Sequence, residues 1–472
     1  MTDEYDLIVL GAGPVGENVA DRAVQGGLTA VVVESELVGG ECSYWACTPS
    51  KALLRSPQVL RAARHVGGAA EAVTGDLDVT AVLARRDGFT SHWSDDGQVS
   101  WLHDAGIDLV RGHGRLTGER QVTVTDADGS ERVLTARHAV ALCTGSDAAI
   151  PPIPGLAEAR PWTSREATSA EEIPDSLVVI GGGVVAVEMA TAYASLGSRV
   201  TVLARSGLLG SVEPFAGELV AEGLRDLGVD VRTGAKTLSV SRDEDGVTVS
   251  TDGGDVTAAE VLVATGRIPR SADVGLEVVG GTPGEWIRVD DTLRVPGSDW
   301  LYAVGDVNGR VLLTHQGKYQ ARAAGDAIAA RAAGEEVLDA PWGRHAATAD
   351  AAAVPQVVFS EPEVAAAGLT EEAARAAGHA VRAVDVEFSA VAGASLHADG
   401  YRGKARMVVD EERQVLLGVT FAGPDVAELI HAATVAIAGE VPLSRLWHAV
   451  PSYPTMSEVW LRLLEAYGRD SA

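Results

Sequence analysis

One local grammar occurs twice in this chain, and few folds accommodate it. Leu7-Ile8-Val9-Leu10 is a run of buried-strand type that ends in Gly11-Ala12-Gly13-Pro14-Val15-Gly16. A helix is expected next, and Ala30-Val31-Val32-Val33 reads as the following strand. The same order returns at Leu177-Val178-Val179-Ile180, Gly181-Gly182-Gly183, a helix through Tyr193, and Arg199-Val200-Thr201-Val202-Leu203. Strand, tight glycine turn, helix and strand form the unit of a parallel sheet with crossover helices. Two such units predict an α/β protein with two doubly wound dinucleotide-binding domains.

Length agrees, because 472 residues exceed what one compact core organises. Pro151-Pro152-Ile153-Pro154-Gly155 is neither helix nor central strand and marks a boundary. Others follow Gly266-Arg267-Ile268-Pro269 and Ala340-Pro341-Trp342-Gly343, the last before an Ala-rich linker from Ala346 to Ala353. The expected segments are residues 1–152, 153–271, 272–343 and 344–472. The last reads as α+β, with strands at Gln356–Phe359, Ala380–Glu387, Lys404–Val409 and Val415–Phe421 and a helix over Asp425–Gly439.

Composition removes several function classes. Hydrophobic residues make up 46% and charged residues 22%, which excludes global disorder. Acidic residues outnumber basic ones 66 to 38 and leave a net charge of −28, a surface that repels phosphate backbones and anionic lipid. Nucleic acid and membranes are therefore not expected as partners. There is no apolar run of spanning length, and Asp3 and Glu4 precede the first strand where a leader would be basic. A cytoplasmic location is expected.

The first turn, Gly11-x-Gly13-x-x-Gly16, follows a strand and opens a helix, and Glu34 closes the second strand. Such glycines let backbone approach a pyrophosphate at the helix N-terminus, while the carboxylate takes ribose hydroxyls. A purely structural turn is the alternative. The second copy, Gly181-x-Gly183-x-x-Ala186, lacks the strand-end carboxylate and reads Val202-Leu203-Ala204-Arg205 instead. Removing that charge relieves repulsion of a 2′-phosphate, and Arg205 can pair with it, which favours NADPH over NADH. The alternative is a solvated surface arginine.

Three cysteines are too few for a disulfide scaffold, yet Cys42 and Cys47 stand close together in Gly39-Gly40-Glu41-Cys42-Ser43-Tyr44-Trp45-Ala46-Cys47-Thr48-Pro49-Ser50-Lys51. Two thiols at the head of a helix can close into a strained disulfide, and the helix dipole lowers thiol pKa, giving a two-electron store. Inert burial or half of a metal site are the alternatives. Cys143, at the end of a predicted strand, reads as core.

Together these segments resemble the flavoprotein disulfide reductases, the pyridine nucleotide-disulfide oxidoreductases that include dihydrolipoamide dehydrogenase and the mercuric reductase core. The resemblance spans nearly the whole chain. It rests on the Gly11 turn, the Cys42–Lys51 block, Thr144-Gly145, Gly181–Glu188, Ala264-Thr265-Gly266-Arg267, Tyr302-Ala303-Val304-Gly305-Asp306, Pro355–Phe359 and Tyr453-Pro454-Thr455-Met456-Ser457-Glu458. It implies FAD on residues 1–152 and 272–343, held by Gly11, Gly13, Gly16, Glu34, Gly40, Lys51, Thr144, Gly145, Gly305 and Asp306. It implies NADPH on residues 153–271, held by Gly181, Gly183, Ala186, Arg205 and Gly266. Residues 344–472 would form the dimerisation domain of a homodimer. Lys51 and Glu188 match the family's ion pair beside the flavin N5, Cys47 its flavin-facing thiol and Cys42 its outer interchange thiol.

Two departures stand out. Where disulfide-reducing members carry a histidine before the Pro-Thr, this chain has Tyr453, although the orienting Glu458 is present. A phenol donates a proton but is a poor base at neutral pH. His448 lies upstream and reads as a helix-end or surface histidine. The chain also ends Arg469-Asp470-Ser471-Ala472 without the cysteine pair of mercuric reductases. The expected activity is NADPH-driven reduction of a small disulfide through FAD and Cys42–Cys47, with Tyr453 protonating the departing thiolate; the resemblance implies that Tyr453 and Glu458 come from the other subunit of the homodimer. A quinone, dye or metal reductase that needs no histidine is the alternative, and a non-catalytic redox sensor a third.

Overall fold

The computed structural model describes residues 3–469. These form two compact units, one from Met1–Pro49, Asp87–Ala149 and Gly266–Asp350, the other from Ser50–Arg86, Ile150–Thr265 and Ala351–Ala472.

The first unit is built on a mixed sheet whose parallel part runs Ile107–Arg111, Ala30–Glu34, Glu4–Leu10, Glu131–Leu142 and Leu301–Ala303. Successive side chains of one strand feed opposite cores. Leu7 and Val9 pack with Val19, Ala20, Ala324 and Ile328 on the helical face. Ile8 and Leu10 pack with Leu276, Trp300 and Leu301 on the other. All four are at most 2% exposed, so the strand reads as an unbroken apolar run rather than an alternating one. At about 1.5–3 kcal/mol for each such side chain, this strand alone anchors the unit. The Pro14–Gln25 helix starts with proline in its first turn and packs against the Thr314–Ala333 helix.

The second unit repeats the plan. Asp230–Thr233, Arg199–Ala204, Ser176–Ile180 and Glu260–Val263 form a parallel sheet. Leu177 and Val179 face the core that holds Met189 and Tyr193, and Val178 and Ile180 face the one that holds Val249 and Val261. A five-stranded sheet of antiparallel pairs follows, ordered Pro355–Val358, Glu363–Gly368, Val415–Gly423, Lys404–Asp410, Val381–Glu387. Its Val415–Gly423 strand is buried throughout and carries the Ile430–Ala438 helix. Arg406 ties this sheet to the nucleotide-type fold, reaching Asp385 at 2.6 Å, Glu213 at 2.9 Å and Glu371 at 3.2 Å.

Both doubly wound folds and the C-terminal α+β fold are present as the sequence predicts. The helix expected over Asp425–Gly439 differs: it begins at Ile430 after a tight turn at Ala427–Leu429, because Asp425 sits in left-handed backbone (φ +53°) and cannot enter a helix. The alanine linker carries a short helix at Ala349–Ala352. No helix among the described residues is long and apolar enough to cross a membrane.

Candidate active site

The first unit carries a cavity of about 400 Å³ at the carboxyl ends of its parallel strands. Gly11, Glu34, Cys42, Thr144, Asp306 and Thr314 line it, and so do Gly13, Gly40 and Gly145. The turn demands glycine. At Gly11, where φ is +95°, a Cβ would lie 2.5 Å from the Cys143 carbonyl oxygen, and at Gly16 it would lie 1.9 Å from that of Gly11. Glu34 closes the turn from outside: its Oε2 accepts from the Ala12 amide at 2.7 Å and its Oε1 from Glu36 at 2.8 Å. Asp306 accepts from Ser146 Oγ at 2.6 Å, while the Gly305 amide donates to Gln320 Oε1 at 2.8 Å. A bare glycine turn, a carboxylate at the strand end and a second carboxylate at Asp306 fit an extended dinucleotide.

Cys42 lies in the short Gly40–Tyr44 helix, and Cys47 opens the Cys47–Arg64 helix. Both are half-buried free thiols. The Cys47 sulfur hydrogen-bonds with Cys42 and, together with burial, pushes the Cys42 thiol up; Thr314 and Lys318 act against this. The expected lowering by a helix dipole is thus overturned for Cys42. Its helix spans a single turn and carries little dipole, while the second sulfur opposes a second negative charge. The Thr314 hydroxyl lies 3.4 Å from Cys47 Sγ. Between the cysteines, the Tyr44 carbonyl accepts from Trp93 Nε1 at 3.2 Å and the Tyr44 hydroxyl bonds Gln98. Ser91, His92 and Trp93, which present that indole, all have positive φ (51°, 52° and 58°). Cys143 is buried in the core, and burial raises its thiol pKa as well.

In the second unit Lys51 Nζ lies 2.7 Å from Glu188 Oε2, and Glu188 Oε1 accepts from the Phe359 amide at 3.0 Å. Glu188 is only 3% exposed. Gly181 turns beneath the Ala264 carbonyl, Gly183 caps the Val184–Ser195 helix, and Ala186 is buried inside it. Ala204 ends its strand where a carboxylate is absent, and the next residue, Arg205, is exposed with no hydrogen bond or ion pair among the described residues. Gly266 belongs to the first unit, where its carbonyl accepts from the Ala149 amide at 2.9 Å.

Tyr453 and Glu458 are not joined. Tyr453 is 78% exposed, whereas Glu458 is 5% exposed and accepts from the Gly393 amide at 3.4 Å. His448 is exposed beyond the Leu443–Leu446 helix.

Several contributors are invisible in the sequence. Thr314 is brought to Cys47 by the fold alone. Arg270 bridges Glu41 at 2.9 Å and Asp147 at 2.6 Å beside the cavity. Neither belongs to a recognisable motif, so no local signal marks them.

Two nucleotide-type turns, one carrying a cavity that reaches a vicinal cysteine pair, define an oxidoreductase that couples a dinucleotide to thiol chemistry. Residues 5–325 match the family described as pyridine nucleotide-disulphide oxidoreductase, and residues 354–464 match that family's dimerisation domain. The chain belongs to this family of FAD- and pyridine nucleotide-dependent enzymes. It is 34% identical over 469 residues to a dihydrolipoyl dehydrogenase of Chlorobaculum tepidum, covering 96% of this chain and 95% of that one. It is 32% identical over 476 residues to a mercuric reductase of Shigella flexneri, covering 98% and 81%. Among solved structures, the HOCl-induced flavoprotein disulfide reductase RclA from Escherichia coli superposes with a TM-score of 0.81 at 25% identity, covering 98% of this chain and 99% of that one.

Proposed function

We propose that the protein is an NADPH-preferring FAD enzyme that delivers electrons through Cys42 and Cys47 to a low-molecular-weight disulfide, working as a homodimer. The observation that carries this reading is the continuity of one cavity from the Gly11 turn and Glu34 to Cys42 and Thr314. FAD, when bound, supplies two-electron transfer between a nicotinamide and a dithiol. This chain's residues do the remaining work. The Gly11 turn admits the pyrophosphate, Glu34 takes the ribose hydroxyls, and Asp306 meets the ribityl–pyrophosphate region. Lys51 and Glu188 have the roles that the resemblance assigns beside the flavin. Cys47 is the thiol toward the flavin, and Cys42 attacks the substrate disulfide. Arg205, exposed just after its strand and without a hydrogen bond or ion pair among the described residues, supports the preference for a 2′-phosphate.

The test is anaerobic titration of the yellow protein with NADPH. Growth of a long-wavelength absorption band on the first two electrons places the thiols on the electron path; simple bleaching of the flavin refutes it.

The tyrosine at position 453 in place of the family's histidine, with no bond to Glu458 among the described residues, favours a second reading in which a quinone, dye or metal acceptor is reduced without a dedicated base. Cys42→Ser separates the two. Loss of disulfide turnover with quinone turnover retained supports the second, and equal loss of both refutes a route that bypasses the thiols.

A further inference from the structure

Three close approaches bring the starts of three helices to the cysteine pair. A Cβ on Gly40 would lie 2.9 Å from the Cα of Gly13, which sets the Gly40–Tyr44 helix against the start of the Pro14–Gln25 helix. A Cβ on Gly317 would lie 2.6 Å from Val15 Cγ2, which sets the Thr314–Ala333 helix against that same start. Thr314 at the head of this last helix reaches Cys47 at 3.4 Å.

Two ionisable groups fall inside this junction, and neither belongs to the dinucleotide cavity. Lys318 lies one turn beyond Thr314, half-buried, with no carboxylate within ion-pair distance among the described residues. Its charge favours ionisation of both Cys42 and Glu17. Glu17, in the first turn of its helix, holds an Oε1 buried without a hydrogen-bond partner among the described residues. Burial pushes its carboxyl up to about 7, with Glu34 adding repulsion and Lys318 opposing. The Tyr44 phenol feels Glu17 as well and is pushed up to about 12, chiefly by burial. A buried carboxyl oxygen with no partner is costly and calls for explanation. Below neutrality Glu17 is uncharged, and the Lys318 ammonium acts on the thiol alone. Above neutrality Glu17 becomes an anion that offsets it.

We propose that Lys318 is a positioning residue that stabilises the Cys42 thiolate, and that protonation of Glu17 sets how much of the Lys318 charge the thiolate receives. This rests on the reading of Cys42 as the exchanging thiol. It places the supporting cation on the same subunit as the cysteines and makes that support strongest at and below neutral pH.

The test is thiol alkylation, which does not depend on turnover. FAD-loaded enzyme is reduced with dithiothreitol, desalted anaerobically and treated with iodoacetamide across pH 5.5–9.5. The Cys42 thiolate displaces iodide, a carbon–sulfur bond replaces the carbon–iodine bond, and the thiol proton leaves to buffer. Fragment mass spectrometry separates Cys42 from Cys47. Lys318→Met should move the Cys42 profile up by about one pH unit, roughly a tenfold slower reaction at neutral pH, while Lys318→Arg retains the rate within about threefold. The wild-type profile should show a second inflection near neutrality that Glu17→Gln abolishes, with faster Cys42 alkylation above it. An unmoved profile in Lys318→Met overturns the role of Lys318. A wild-type profile with a single ionisation overturns that of Glu17 without any variant. Failure of NADPH to reduce the pair would instead overturn the functional reading and leave these profiles standing.

Discussion

Removing Lys51 should cost far more than neutralising Glu188, although the two form one ion pair. Glu188 is 3% exposed, and its oxygens have two partners, Lys51 Nζ at 2.7 Å and the Phe359 amide at 3.0 Å. Lys51→Met keeps most of the apolar stem but leaves a buried carboxylate with one neutral hydrogen bond. Breaking a fully buried pair in this way costs about 3–5 kcal/mol. The Lys51 side chain is 37% exposed, so water partly replaces it and the expectation falls to about 2–3 kcal/mol. The ammonium also lies 5.1 Å from the Phe359 ring centroid, worth about 0.5–1 kcal/mol. Glu188→Gln keeps an oxygen for the Phe359 amide and leaves an ammonium that can reach water, a loss of about 1 kcal/mol. The double variant Lys51→Met/Glu188→Gln removes the stranded charge and should recover at least 1 kcal/mol over Lys51→Met. Urea unfolding of all four proteins, with the FAD dissociation constant of each measured and its linkage contribution subtracted, gives the comparison. Equal destabilisation of Lys51→Met and the double variant would show that Lys51 does not compensate the Glu188 charge, and the electrostatic reasoning would fail.

Two further outcomes follow from single residues. Glu17 has its pKa raised from 4.5 to about 7 in the folded chain, so its neutral form stabilises the fold in full below about pH 4.5, and that contribution is lost as pH rises through 7. At about 1.4 kcal/mol per unit the loss approaches about 3 kcal/mol, and Glu17→Gln should flatten the urea midpoint between pH 5 and pH 8. Arg205→Glu should raise the KM for NADPH about tenfold or more and leave that for NADH within about threefold, read from steady-state kinetics with both nucleotides.

Much of the scaffold was legible because it is made by local rules. A strand buried on both faces has to be continuously apolar, so Leu7–Leu10 and Leu177–Ile180 declared themselves and the glycine turns after them fixed the crossover. The helix expected over Asp425–Gly439 starts later, at Ile430, for a reason that is also local but weaker. Aspartate enters left-handed backbone at modest cost, and nothing in Asp425-Val426-Ala427 marks which conformation it takes. The grouping of Ser50–Arg86 with the second unit has no signature in composition at all.

The site divides along the same line. Residues whose work is done by backbone geometry, such as Gly11 and Gly16, are readable because any side chain there collides. Residues whose work is electrostatic depend on what the fold sets beside them. Cys42 looked like an acidic thiol from its place near a helix head, yet the sulfur of Cys47 and burial raise its pKa, and only Lys318 and Thr314, supplied from a helix far along the chain, act the other way. The same holds for Tyr453. It stands where the family's histidine would, but only the fold shows that it is exposed and that Glu458 turns toward Gly393 instead of to it among the described residues. An in-chain cation near Cys42 and an unsupported phenol at Tyr453 are consistent with each other. Where the proton acceptor is weak, the burden shifts to holding the thiolate, and a charge that favours the ionised sulfur does this without accepting a proton.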